Sequence, residues 1–165
     1  MSKKYLSVFG VGPIYVSVVV IITCILLILN ADGILPVYAF SLALIPLLIG
    51  ILFILVGVIL WVSAVVFSKI TAKIKSNTLI TNGVFAYVRN PIYSAFMFIC
   101  SGIIISQNNL FLFIAPVIYW LFLTVLMIKT EEKWLINLYK DEYSKYCKKV
   151  NRCIPFIKLI SNHKK

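Results

Sequence analysis

Titratable groups are scarce in this chain. Of its 165 residues only five are Asp or Glu and one is His, and charged residues make up 13% against a hydrophobic fraction of 62%. Soluble globular domains carry about 25% charged residues, so an ordinary water-soluble globule is excluded. The lone His163 lies in a basic terminal stretch, and Cys24, Cys100, Cys147 and Cys153 follow no zinc-ligand spacing and make no disulfide framework. The cysteines read as small apolar fillers, two inside apolar runs and two in a reducing compartment, and no metal site is expected. A glycine-rich strand–turn–helix nucleotide loop is also lacking, which excludes a Rossmann-type cofactor domain.

What the chain has in abundance is long apolar runs, at about residues 14–29, 37–67, 91–105 and 110–128. A bilayer core about 30 Å thick takes about 20 helical residues. The second and fourth runs meet that length, the first does so with modest extension, and the third falls short unless residues 84–88 extend it or its end lies below the surface. The length suits one domain. The expected fold is all-α: a single polytopic membrane domain, residues 1–165, with four transmembrane helices at about 14–30, 41–62, 91–106 and 110–128. These form two hairpins, followed by a C-terminal cytoplasmic amphipathic helix over 131–150.

Charge sets the expected orientation. Lys3 and Lys4 precede the first run, Lys69, Lys73, Lys75 and Arg89 lie between the second and third, and every other Lys or Arg follows from Lys129 onward. The two remaining connections carry only Asp32. The positive-inside rule therefore puts both termini and the middle segment in the cytoplasm, with a prokaryotic inner membrane as the expected location. No small-x-small cleavage site precedes Asn30, so the first run reads as a retained span rather than a secretory signal. The net charge of +11 suits orientation and a grip on anionic membrane lipids, and no nucleic-acid partner is expected. Oligomeric state is not readable.

Within the hairpins, Gly50 and Gly57 recur at heptad spacing and suit close helix approach, and the polar turn Gln107-Asn108-Asn109 is expected to carry no function. In the tail, Leu135, Leu138, Tyr139, Tyr143, Tyr146 and Val150 form a helical apolar stripe opposite Lys133, Lys140, Asp141, Lys145 and Lys148. Such a helix would lie on the inner membrane surface or fold back over the bundle.

Three elements could carry chemistry. Asn90-Pro91 reads as an N-cap followed by a helix-starting proline, which would leave free N–H groups and a positive dipole end for a carboxylate or phosphate. Arg89 adds a fork of donors there, and Tyr87 and Tyr93 bracket it. Glu131-Glu132, at the end of the fourth run, would hold a cationic ligand, or else pair with Arg89 or Arg152 or start a tail helix. Tyr143, Tyr146, Arg152 and Pro155 complete the set.

Residues 83–93 resemble the G-x-Y-x-x-x-R-H-P-x-Y signature of the isoprenylcysteine carboxyl methyltransferase superfamily, integral membrane enzymes that include phospholipid N-methyltransferases. The tail, Glu131-Glu132-x-x-Leu135-x-x-x-Tyr139-Lys140-Asp141-Glu142-Tyr143-x-x-Tyr146-x-x-x-Val150-Asn151-Arg152-x-x-Pro155, is similar to that superfamily's E-E-x-x-L-x-x-x-F-G-x-E-Y-x-x-Y-x-x-x-V-P-R-x-x-P ending. The resemblance runs over about residues 47–156. It implies S-adenosylmethionine as cofactor and methyl transfer at the cytoplasmic face to a lipophilic or lipid-anchored acceptor that enters from the bilayer. By the same resemblance Tyr87, Val88, Asn90, Pro91, Tyr93, Glu131, Glu132, Tyr143 and Tyr146 surround the cofactor, and Arg89, Glu132 and Arg152 are the catalytic candidates. Either Arg89 or Arg152 would orient an anionic acceptor group. A carboxylate acceptor is favoured over an amine, because no histidine stands near to take a proton. Asn90 replaces a His of the pattern, Phe85 a Tyr, Lys140 a Gly and Asn151 a Pro. Two competing readings remain: an NADPH-dependent sterol-type membrane reductase, whose Y-C-x-x-V ending is similar to Tyr146 to Val150, and a non-catalytic membrane scaffold.

Overall fold

The computed structural model describes residues 10–67 and 78–155. Lys3, Lys4, Lys69, Lys73, Lys75 and His163, which entered the charge and metal arguments, lie outside the described residues. Among the described residues the chain is helical and has no strand. Its helices are α1 (Gly12–Ala31), α2 (Leu44–Val62), α3 (Pro91–Ile105), α4 (Ile114–Lys129) and α5 (Glu131–Lys149). A π-helical turn, Ser63–Phe67, prolongs α2, and the 3-10 turns Gly83–Ala86 and Leu110–Phe113 lead towards α3 and into α4.

Three stretches, Gly12–Ala31, Leu44–Val66 and Leu110–Lys129, are long and apolar enough to cross a membrane. Their outward residues stay apolar, with Ile21, Ile28, Leu52, Ile59 and Ile118 all exposed, as lipid requires and water forbids. These features mark an integral membrane protein. The helix α3 is shorter, at 15 residues, and about 22 Å long. The extension over 84–88 does not form, because Pro91 supplies no N–H and holds Asn90 out of the helical region, at φ −122° and ψ 64°.

Packing between α2 and α3 is the most extensive helix contact of the described chain, and glycine makes it possible. A Cβ on Gly50 would stand 2.6 Å from the Gly102 carbonyl oxygen, and one on Gly57 2.7 Å from that of Ala95. The backbones therefore meet directly, as small residues allow in membranes. A second core joins α1, α3 and α4 through Tyr15, Val19, Ile104, Tyr119, Leu123 and Met127. Polar ties run through it: the Tyr15 hydroxyl donates to the Tyr119 carbonyl at 3.3 Å, and the Thr23 and Tyr119 hydroxyls meet at 2.8 Å.

The connections at one end of the bundle are stitched by Asn109, which is 1% exposed. Its Nδ2 donates to Asn30 Oδ1 (2.8 Å) and the Pro36 carbonyl (3.1 Å), while its Oδ1 accepts from Tyr38 and Phe111 N–H. This polar turn, for which no function is expected, is structurally the joint between the two hairpins. The opposite end gathers the start of α1, the start of α3 and the junction of α4 with α5. Apart from Asp32, every charged residue among those described lies toward this end.

Candidate functional site

The start of α3 is held by the segment that follows α5. Val88 and Asn151 form a parallel bridge; Arg89 N–H donates to the Asn151 carbonyl at 2.9 Å and Asn90 N–H to that of Arg152 at 3.3 Å. Asn90 occupies the N-cap position, but its side chain makes no capping bond. Its Nδ2 instead donates to the Arg152 carbonyl at 3.1 Å. The capping role expected of Asn90 is corrected on this point: the amide clips the returning chain, and the first-turn N–H groups of α3 gain no side-chain cap.

The two adjacent acids go to different places. Glu131 Oε1 accepts from the Tyr93 hydroxyl at 2.7 Å and from the Val11 N–H at 2.9 Å. Glu132 is nine-tenths buried and lies between two guanidinium groups. Arg152 forks onto it, Nε to Oε1 at 2.6 Å and NH2 to Oε2 at 2.9 Å, and Arg89 NH1 reaches Oε1 at 3.1 Å. The Glu132 hydrogen bond holds the Arg152 guanidinium above its ordinary pKa. Arg89 NH1 also donates to Cys147 Sγ, so this thiol, read from sequence as a filler, helps seat the guanidinium. Arg89 Nε is buried with no hydrogen-bond partner.

The tail stripe forms, but the helix is not continuous. Lys140 sits at φ 46° and ψ −119° inside α5, so the helix expected over 131–150 is two pieces joined at a kink. Tyr143, Tyr146 and Val150 pack with Leu79, Leu135 and Tyr139, and the Tyr146 hydroxyl donates to the Phe85 carbonyl at 2.5 Å. Burial pushes the Tyr143 and Tyr146 hydroxyls above their ordinary pKa, with the Arg89 charge opposing it, and burial raises Tyr139 as well.

Between these elements lies a cavity of about 190 Å³. Of the residues singled out from sequence, Arg89, Asn90, Pro91, Tyr93, Glu131, Tyr143 and Tyr146 line it together. Glu132 and Arg152 do not; they stand behind Arg89. Val88 is fully buried in the packing beneath α3, and Tyr87 is 54% exposed; neither lines the cavity. The lining also includes Trp134, Leu135, Tyr139, Phe85, Gly10 and Thr78 to Ile80. The stripe signalled Leu135 and Tyr139 beforehand; nothing in the sequence signalled Trp134 or Gly10.

An aromatic chamber with one arginine thus lies at the end of an apolar helical bundle whose long helices mark an integral membrane protein. The chain belongs to the phospholipid methyltransferase family, whose pattern matches residues 40–142. It is similar to the protein-S-isoprenylcysteine O-methyltransferase of Schizosaccharomyces pombe, 35% identical over 94 residues, which is 55% of this chain and 39% of that protein. It is also similar to the enzyme of the same name from Saccharomyces cerevisiae, 35% identical over 88 residues, covering 53% of this chain and 36% of the relative. The chain thus spans well under half the length of these relatives. No solved structure matches it.

Proposed function

We propose that this protein transfers a methyl group from S-adenosylmethionine to a lipophilic acceptor, a carboxylate in preference to an amine, on the cytoplasmic face of the membrane. The observation that carries this reading is the cavity itself, built by Arg89 to Tyr93 and the two halves of α5 in a chain of the phospholipid methyltransferase family. The family match supports a methyltransferase and not an NADPH-dependent reductase.

The residues present fit such a donor. S-adenosylmethionine, when bound, supplies an electrophilic methyl group on a sulfonium cation together with a carboxylate and an adenine ring. Trp134, Tyr139, Tyr143 and Tyr146 offer ring faces to a cation or a base. The buried, unpartnered Nε of Arg89 and the uncapped first turn of α3 suit an anionic group. The volume of about 190 Å³ is below the roughly 300–1,000 Å³ of whole-ligand pockets, so the enclosed part suits the reacting end. Arg89 is the arginine that can touch a ligand; Arg152 is occupied by Glu132, and both act through Arg89.

Alignment is the main task of the chain, since holding nucleophile and electrophile in line can supply about 7–11 kcal/mol. Tyr139, Tyr143 and Tyr146 hold their protons well above neutral pH, and burial raises the Cys147 thiol too. These groups are poor bases for an ammonium acceptor, whereas a carboxylate arrives already ionised. The acceptor's apolar part would approach from the bilayer along the apolar exterior of the helices, and the basic end would rest against anionic headgroups.

The test is binding followed by turnover. Purified protein in detergent should show a thermal shift with S-adenosylmethionine and with its demethylated product. Mass spectrometry of lipid extracts after incubation with isotopically labelled donor should then find the label in an acidic amphiphile as an ester. No response to either nucleotide would end this reading; label in an amine would overturn the carboxylate preference.

A further inference from the structure

The region matched by the family begins at residue 40, yet the cavity has a wall that lies before it. Gly10 lines the cavity, and the turn from Gly10 to Gly12 that opens α1 is fitted closely to the site. The Val11 N–H is bonded to Glu131 Oε1 at 2.9 Å, and the same oxygen takes the Tyr93 hydroxyl at 2.7 Å. The fit excludes side chains: a Cβ on Gly10 would collide with Glu131 Oε1, and one on Gly12 would collide with the Tyr93 ring. Gly10 also has φ +49°, a conformation in which a side chain adds strain. A carboxylate at this place sits against the positive end of α1, where a negative charge is favoured.

From this arrangement we infer that Glu131 is a positioning residue that latches the start of α1 to α3, closing the cavity with a wall from outside the family-matched region and fixing the Tyr93 hydroxyl within it. Its Oε1 accepts two hydrogen bonds from the protein, which commits that oxygen to holding α1 and Tyr93. What the latch needs is an acceptor oxygen, and an amide retains one. The link to donor binding rests on the proposed methyltransferase function; the latch itself does not.

The experiment therefore has two arms. In the first, amide hydrogen exchange at Val11 is measured in detergent without any donor. Exchange should rise by about tenfold or more in Glu131→Ala and in Gly10→Ala, which breaks the contact from the other side, and Glu131→Gln should restore most of the protection. In the second, affinity for S-adenosylmethionine is followed by calorimetry. Glu131→Ala should weaken it by about tenfold through loss of placement, with recovery in Glu131→Gln. Unchanged Val11 exchange in Glu131→Ala would overturn the latch. So would an equal loss of affinity in the Gln and Ala variants while Val11 stays protected, because Glu131 would then act on the ligand by its charge. If the parent protein binds no donor, the methyltransferase reading fails and the exchange arm still decides the latch.

Discussion

Arg152 grips Glu132 with both edges in register, Nε to Oε1 at 2.6 Å and NH2 to Oε2 at 2.9 Å, and Arg89 shares the first of these oxygens at 3.1 Å. One carboxylate thus balances two guanidinium groups next to the cavity. Glu132→Gln keeps the shape but leaves both cations without a counter-charge. Breaking a buried pair by removing one partner costs about 3–5 kcal/mol, and the partial exposure of Arg152 puts the expected loss near the lower figure. Denaturant titration in detergent checks the stability. Donor titration on the folded fraction should show affinity lower by about tenfold, since Arg89 is then free to leave its place. An unaltered affinity would detach Glu132 from the site.

Lys140 adopts φ 46° and ψ −119° between Tyr139 and Tyr143, both of which line the cavity. A residue with a Cβ is strained there, by about 1–3 kcal/mol, and glycine is not. Lys140→Gly should therefore stabilise the protein by about 1 kcal/mol, after the added flexibility of the unfolded chain is deducted, and raise the thermal midpoint. A fall in the midpoint would mean that α5 prefers to run straight.

The kink also shows what sequence could and could not reveal. Glycine stands at the position of Lys140 in the pattern that the tail resembles, so the departure was visible, but its meaning needed the backbone angles. The length of the apolar runs located the membrane helices and hydrophobic periodicity the stripe of α5, because lipid demands continuous apolar surface whereas one-sided packing leaves a repeat. The fate of Glu131 and Glu132 was not recorded. Neighbours on a helix point about 100° apart, and which one meets α1 and which meets the arginines depends on contacts distant in the chain. The same holds for Asn90, whose amide turns to a carbonyl on Arg152, and for Asn109, whose four partners come mostly from 71 to 79 residues away.

Cys153 is fully buried, and burial pushes its thiol up to about 11, with the Thr124 hydroxyl and the nearby arginines opposing. An acid whose folded pKa is raised keeps its contribution below the unfolded value, about 8.5, and loses it as pH climbs through the folded value. Between the two values the unfolded chain binds fewer protons than the folded one, so stability falls with pH. The window runs from about pH 8.5 up to about 11. Lysines titrate near there as well, so the difference between the parent and Cys153→Ala isolates the thiol. The parent should lose about 2–3 kcal/mol more than the variant across the window. Parallel curves would place the thiol in water.

The contact of α2 with α3 offers the sharpest test of the bundle, because it depends on what is missing from Gly102. A Cβ there would stand 2.5 Å from the Gly50 carbonyl oxygen and 2.8 Å from Ile54 Cγ1, so Gly102→Ala must push the two helices apart or bend one of them. Overpacking of this kind costs about 1–3 kcal/mol. Leu52, by contrast, is 58% exposed on the apolar exterior, and Leu52→Ala should change stability by no more than about 0.5 kcal/mol. Because α3 carries Pro91 into the cavity wall, Gly102→Ala should also weaken donor binding although it touches no ligand. Equal stability for the two variants would show that α2 and α3 do not meet backbone to backbone.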